Sequence, residues 1–155
     1  MTDYEQIEMG VLRVLTQDDP EAVSLHGQII ESHFPNVDTT SQCIPNHPDG
    51  IPSTEAEADA LPYVKEVGRE LASTVDVVGI SCALDPAVDA LDAELDVPVI
   101  GAGASVAAAA RARGDRVGTL GLESGTPPVV RDLLGNNLQA RDVVDGAETT
   151  NYLTT

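Results

Sequence analysis

The feature that most constrains this chain is a rhythm in which short apolar runs alternate with segments of helical periodicity. Residues 10–16 read as a strand. Asp19 and Pro20 then supply a helix N-cap and a first-turn proline. Ala22, Leu25, His26, Ile29 and Ile30 follow at helical spacing, so an amphipathic helix is expected to about residue 33. Residues 37–44 alternate loosely, as in a half-polar strand, and 45–52 form a loop dense in Pro, Asn, Asp and Gly. Thr54 with Glu57 matches a capping box opening a helix to about residue 72, with a bend expected at Pro62. Residues 75–81 are almost continuously apolar, the pattern of a strand buried on both faces.

The second half repeats the pattern. Asp85 and Pro86 are expected to cap a helix reaching about residue 95, and 97–100 to form a short strand. Gly101 and Gly103 turn into an Ala-rich helix over 105–113, with Gly114 as its C-cap. Residues 116–122 read as a strand, 123–126 as a loop, 127–134 as a helix closed by Gly135, and 139–144 as the start of one more strand. The reading is an α/β fold, a parallel sheet with helices on both faces. In such sheets ligands sit beyond the carboxyl ends of the strands. That directs attention to Thr16, to 43–51, to 81–85, to 101–105 and to 123–126. No repeat of ~20–50 residues is visible.

With 155 residues the chain has room for a real hydrophobic core. Aromatics are 3% and Trp is absent, so Val, Ile, Leu and Ala must build it. Twenty-six Asp and Glu stand against eight Lys and Arg, a net charge of -18, and Lys65 is the single lysine. Phosphate backbones need Lys and Arg to displace counterions, so nucleic acid and anionic membranes are poor partners. An acidic surface almost without lysine fits high salt, where screening acts over ~3 Å at 1 M. The competing readings are a face for a basic partner and an acidic interaction domain. No apolar run approaches the ~20 residues of a membrane span. The first residues, Met1, Thr2 and Asp3, begin no basic-then-apolar leader, so a cytoplasmic protein with free thiols is expected.

Few motifs carry chemistry. Gly101-Ala-Gly103 lacks the glycine at 106 that a dinucleotide fingerprint needs, Val106 standing there. Cys43 and His47 are four apart and His26 and His33 seven apart, so no metal-ligand spacing is present. His26 falls on the apolar face of its helix, the setting of a structural histidine. Cys82 stands apart. It follows a buried strand and precedes a capped helix, which aims a thiol at the ligand crevice. Free amides and a helix N-terminus there are expected to lower its pKa and favour the reactive thiolate; the alternative is a small buried hydrophobe. The loop with Ser124, Gly125 and Thr126 either holds a carboxylate or caps a helix, and Thr16 has the same two readings.

At these residues the chain resembles the aspartate/glutamate racemase superfamily, most closely its hydantoin-racemase-like members. Val78-Gly-Ile-Ser-Cys82-Ala-Leu-Asp85-Pro86 is similar to their first-cysteine motif. Asp96-Val-Pro-Val-Ile-Gly-Ala-Gly103 is similar to the segment after it, and Val117-Gly-Thr-Leu-Gly-Leu-Glu-Ser-Gly-Thr126 to the second-lobe strand with its Gly-Thr loop. The resemblance implies two similar α/β lobes with the active site between them. Residues 1–100 would be the first lobe and 101–155 the start of a second, incomplete one. It implies a cofactor-independent racemase or isomerase of an amino acid or derivative, hydantoin-like or a small carboxylate, and a homo-oligomer. Two cysteines, one from each lobe, would work on opposite faces of the stereogenic carbon.

By resemblance Cys82 is the first-lobe catalytic cysteine, and Thr16, Ala83, Ser124, Gly125 and Thr126 hold the substrate carboxylate. Many amino-acid racemases carry Cys-Asn-Thr where this chain has Cys82-Ala83-Leu84, which favours a hydantoin-like ring over aspartate or glutamate. The family's second cysteine follows the Gly-Thr loop at a distance that lies past Thr155. Cys43, the other thiol, sits on the first-lobe second strand. The alternatives are a one-thiol cis-trans isomerase or decarboxylase of the same superfamily and a non-catalytic carboxylate-binding module.

Overall fold

The computed structural model describes residues 5–121 and 125–144. Six strands and five helices alternate along it: β1 (Ile7–Arg13), α1 (Pro20–His33), β2 (Val37–Cys43), α2 (Thr54–Ala72), β3 (Val77–Ser81), α3 (Val88–Asp92), β4 (Val99–Gly101), α4 (Ala102–Arg113), β5 (Val117–Gly121), α5 (Pro128–Leu134) and, after a 3-10 turn, β6 (Leu138–Val143). The first four strands form one parallel sheet in the order β2-β1-β3-β4, and β5 and β6 pair in parallel in a second. The fold is α/β with a parallel sheet, as its alternating pattern predicts.

Side-chain alternation divides the first sheet. Leu12 and Val14 point to the side where Val78, Ile80 and Val99 meet Ala60, Val64, Val67 and Leu71 of α2 and Leu91 of α3. Leu12, Ile44, Ile80 and Leu91 are fully buried there, each contributing about 1.5–3 kcal/mol of transfer free energy. The opposite side belongs to α1. Arg13 Nη1 donates to the carbonyls of Ala22 (2.7 Å) and Val23 (3.2 Å). Gly27 lets α1 sit close on β2: a Cβ there would lie 2.3 Å from Thr39 Oγ1. Glu31 accepts from the Thr39 backbone N–H and hydroxyl, joining the end of the helix to the strand.

After β4 the chain leaves this sheet. Helices α4 and α5 pack together over a small cluster of Ala107, Val130 and Leu134, with Val117 and Leu138 of the second sheet against it. Among the described residues no helix is long and apolar enough to cross a membrane.

Three expectations are corrected in detail. The first strand spans Ile7–Arg13 rather than 10–16, because pairing with β2 starts at Ile7 opposite Val37; Thr16 thus lies beyond the strand. The capping residue of α2 is Ser53 rather than Thr54: its hydroxyl accepts from the Ala56 N–H at 3.1 Å, and the helix runs through Pro62. Asp85 and Pro86 do not cap a helix reaching residue 95. Helix α3 has only five residues and starts at Val88 behind Ala87, which is left-handed (φ 61°) and makes no side-chain cap. The carboxylate of Asp85 is used elsewhere.

Candidate active site at the carboxyl edge

The carboxyl edge of the first sheet is built around the loop after β3. The Asp85 N–H returns to the Cys82 carbonyl (3.1 Å), and Val88 N–H to the Asp85 carbonyl (3.3 Å). This tight path puts both Asp85 (φ 53°) and Ala87 in the left-handed region, which a side chain enters at a cost. Cys82 and Leu84 turn inward against the core beneath α2. The Asp85 carboxylate spans to the start of α4, accepting from Gly103 N–H and Ala104 N–H, both at 2.7 Å. Helix α4 has no capping side chain of its own, its N-cap being Gly101, so Asp85 supplies the cap from 18 residues upstream.

The two glycines are there for this contact. A Cβ on Gly101 would fall 2.2 Å from Asp85 Cγ, and one on Gly103 would fall 2.3 Å from the Ala83 carbonyl oxygen and 2.9 Å from Val129 of α5. The loop carrying Cys82, the first turn of α4 and the start of α5 therefore converge.

The thiol of Cys82 is not primed as its position in the sequence suggests. Burial pushes its pKa up, and the carboxylates of Asp85 and Glu57 push the same way, outweighing the Leu84 backbone N–H that favours the thiolate. The expected helix dipole is missing because α3 starts six residues after Cys82 and is only five long. Cys82 is a protonated thiol at neutral pH.

Thr16 is a clasp between loops. Its hydroxyl donates to the Ile44 carbonyl (2.7 Å) and accepts the His47 N–H (2.8 Å), while its own N–H goes to the His47 carbonyl. It lines a cavity of about 320 Å³ with Gln17, Cys43, Glu66 and Glu70. Cys43 is also held as the thiol by burial, opposed by the nearby Arg13 charge and the Gln17 N–H. Register places Cys43 beside Arg13 and Arg13 beside Ser81, so Cys43 and Ser81 are two strand spacings apart, roughly 10 Å.

Gly125 and Thr126 stand elsewhere again. Gly125 takes a left-handed φ of 79°, and Thr126 pairs hydroxyl to hydroxyl with Thr119 (2.6 Å). Both line a second cavity, about 390 Å³, with Arg131 and Arg141. Ser124 lies outside the described residues. Ala83 is exposed next to Cys82. The structure thus brings Cys82 and Ala83 together at the start of α4, and sets Thr16 and the Gly125-Thr126 loop at separate cavities, neither lined by Cys82.

Sequence reasoning missed Arg131, Arg141 and the reach of Asp85. Arg131 of α5 and Arg141 of β6 are ten residues apart and share a cavity with Thr126 only in the folded chain. Asp85 was read as a local cap, its Asp-Pro pair suiting that role equally well. His26 keeps the structural setting expected of it: its Nδ1 lies 2.6 Å from the Ser81 hydroxyl, one residue before Cys82. Burial, aided by the Arg13 charge, lowers its pKa and keeps the ring neutral. Among the described residues, no three His, Cys, Asp or Glu side chains gather as a metal site.

The model of the family described as Asp/Glu/Hydantoin racemase matches residues 24–155. The chain belongs to this family. Among solved structures, the fold is similar to allantoin racemase from Klebsiella pneumoniae (TM-score 0.69, 22% identity, 89% of this chain and 58% of that one). It is equally similar to allantoin racemase from Pseudomonas fluorescens (TM-score 0.71, 14% identity, 88% of this chain and 60% of that one). At these identities the likeness establishes the fold. The chain spans about three-fifths of the length of these racemases, and its second lobe is present in part. No curated protein matches it.

Proposed function

We propose that this chain is the Cys82-bearing part of a cofactor-independent racemase or isomerase acting on an amino-acid derivative, hydantoin-like or a small carboxylate. What carries the reading is the family match over residues 24–155 together with the only carboxyl-edge thiol on a central strand, Cys82 after β3. Residues 1–100 act as the first lobe and 101–155 as the start of the second.

The chemistry is proton transfer at the α carbon. A protonated Cys82 is set to deliver a proton to the carbanion, and its thiolate, formed in that step, removes the α-proton in the reverse direction. Of the residues expected to hold the substrate carboxylate, the Ala83 backbone N–H is the donor beside Cys82. The Gly125-Thr126 loop with Ser124 is a second donor group that closure of the lobes would have to bring to it. Thr16, whose hydroxyl donates to the Ile44 carbonyl, supports the neighbouring loop instead. The arginines beside Thr126 add positive charge to a chain otherwise nearly devoid of it. A second thiol on the opposite substrate face would complete two-base racemisation. Cys43 is separated from the Cys82 strand end by the Arg13 strand, which favours one-thiol isomerisation or decarboxylation as the second reading.

The test is α-proton exchange in D2O, followed by NMR with allantoin, 5-substituted hydantoins and free amino acids. Exchange that is lost in Cys82→Ser and kept in Cys43→Ser supports the assignment. Exchange that survives Cys82→Ser rejects it, and ligand binding with no exchange in the parent chain leaves a carboxylate-binding module.

A further inference from the structure

The loop after β3 holds two left-handed non-glycine residues, Asp85 and Ala87, within three positions. Such backbone persists only where the surroundings enforce it. On one side the loop is tied by His26 to Ser81. On the other it is tied by the Asp85 carboxylate to two N–H groups at the start of α4. Two glycines with no room for a Cβ frame that second tie, one against the Asp85 carboxyl and one against the Ala83 carbonyl. The tie is specific in chemistry as well as in shape, since a carboxylate accepts both N–H groups of a helix end and answers its partial positive charge.

We propose that Asp85 is a positioning residue for Cys82: its carboxylate, clamped on the first turn of α4, holds the loop in the strained path that turns the thiol toward the core. The clamp joins the strand that carries the thiol to the helix that leads into the second sheet, so movement between the two is transmitted to Cys82. Releasing it lets the loop relax, the thiol emerge and the neighbouring carboxylate move away. Glu57 of α2 remains the other charged group facing the thiol. The inference rests on Cys82 being the working thiol of the proposed function, yet it is read out without turnover.

The experiment measures iodoacetamide alkylation by intact mass across pH 6–10. Cys82 is followed in a Cys43→Ser background and Cys43 in a Cys82→Ser background. Asp85→Ala should raise the Cys82 rate severalfold at neutral pH, as the thiol becomes accessible and loses a neighbouring carboxylate, and move its pH profile downward. Gly103→Ala keeps every charge and should raise the Cys82 rate with a smaller movement of the profile. Asp85→Asn, which retains an acceptor, should fall between Asp85→Ala and the parent and serves if Asp85→Ala does not fold. Cys43 should react as in the parent throughout. Unchanged Cys82 rates, or equal increases at both thiols, overturn the proposal. Loss of exchange in Cys82→Ser is a separate result, so the clamp can stand where the proposed function fails, and the reverse.

Discussion

The β2-β1-β3-β4 sheet and the β5-β6 sheet are made from the same strand-helix-strand unit, but they are held together differently. The first is covered by α1 on one face and by α2 and α3 on the other, and its cluster joins thirteen buried residues. The second, among the described residues, has α4 and α5 on one side, a cluster of three, and exposed Leu120, Leu133, Val143 and Val144. A two-stranded sheet buries too little to be stable alone. The fold is therefore anchored in the first sheet, and β5 and β6 depend on α4, which Asp85 fastens to that sheet.

The contrast predicts unequal costs for the same truncation. Leu12→Ala should cost about 3–4 kcal/mol, since Leu12 is fully buried between a central strand and α2. Leu134→Ala, equally inaccessible but in a cluster of three, should cost less than about 2 kcal/mol because its surroundings can collapse. Urea unfolding of both variants gives the comparison. Equal costs would show that the two units are one cooperative core.

Glycines sharpen the same point. Gly27→Ala forces a Cβ onto Thr39 and Ser41 of β2 and should destabilise by about 1–3 kcal/mol. Gly118→Ala on β5 meets only ordinary contact with Ala140 and should be neutral or stabilising by about 0.5 kcal/mol, since alanine loses less entropy than glycine in a strand. Thermal unfolding of the pair checks this; a large loss at Gly118 would mean that the second sheet is packed more tightly than its exposure implies.

The element order was legible because each strand announces itself by local pattern and every helix but α3 by a cap or a closing glycine. Asp19 accepting from Glu21 N–H is one such signal that holds in place, and Gly135 with its left-handed φ of 50° is another. What failed did so where a side chain serves a distant partner. Asp85 is the clearest example: Asp-Pro before an apolar stretch signals a local cap, but the carboxylate closes a helix 18 residues on. The pKa of Cys82 failed for the same reason, because it depends on burial and on Glu57 from another element. The candidate site was legible as a set of loop ends, but the separation of Thr16 from the Gly125-Thr126 loop could not be read before the sheets were arranged.

A smaller effect concerns the start of α2. Ser53→Ala should cost about 1 kcal/mol through loss of the bond to Ala56 N–H, while Thr54→Ala should stay within about 0.5 kcal/mol. The two substitutions, measured by urea unfolding, separate neighbouring residues that the sequence pattern alone assigns the other way round. A larger cost at Thr54 would restore the capping box.

The smallest effect distinguishes the two regions by pH. All three histidines lie in the first unit. His26 is buried against Ser81 near Arg13, and its pKa is lowered, first by burial and then by that charge. Above pH ~6.5 the ring is neutral in both folded and unfolded chains, and this stability is fully present. As pH falls below ~6.5, the unfolded chain takes up the proton first, and stability declines until the folded ring also protonates. Glu31, whose pKa is lowered by its bonds to Thr39, contributes in the same direction only below about pH 4.5, so the two windows are distinct. Urea unfolding between pH 7 and 5 should show the decline in the parent and a flatter profile in His26→Gln. Hydrogen exchange should place the loosening at β1 and β3, where Arg13 and Ser81 flank the ring, before it reaches β5. A decline that begins in β5 and β6, or that persists in His26→Gln, would move the acid-sensitive contact out of the first sheet.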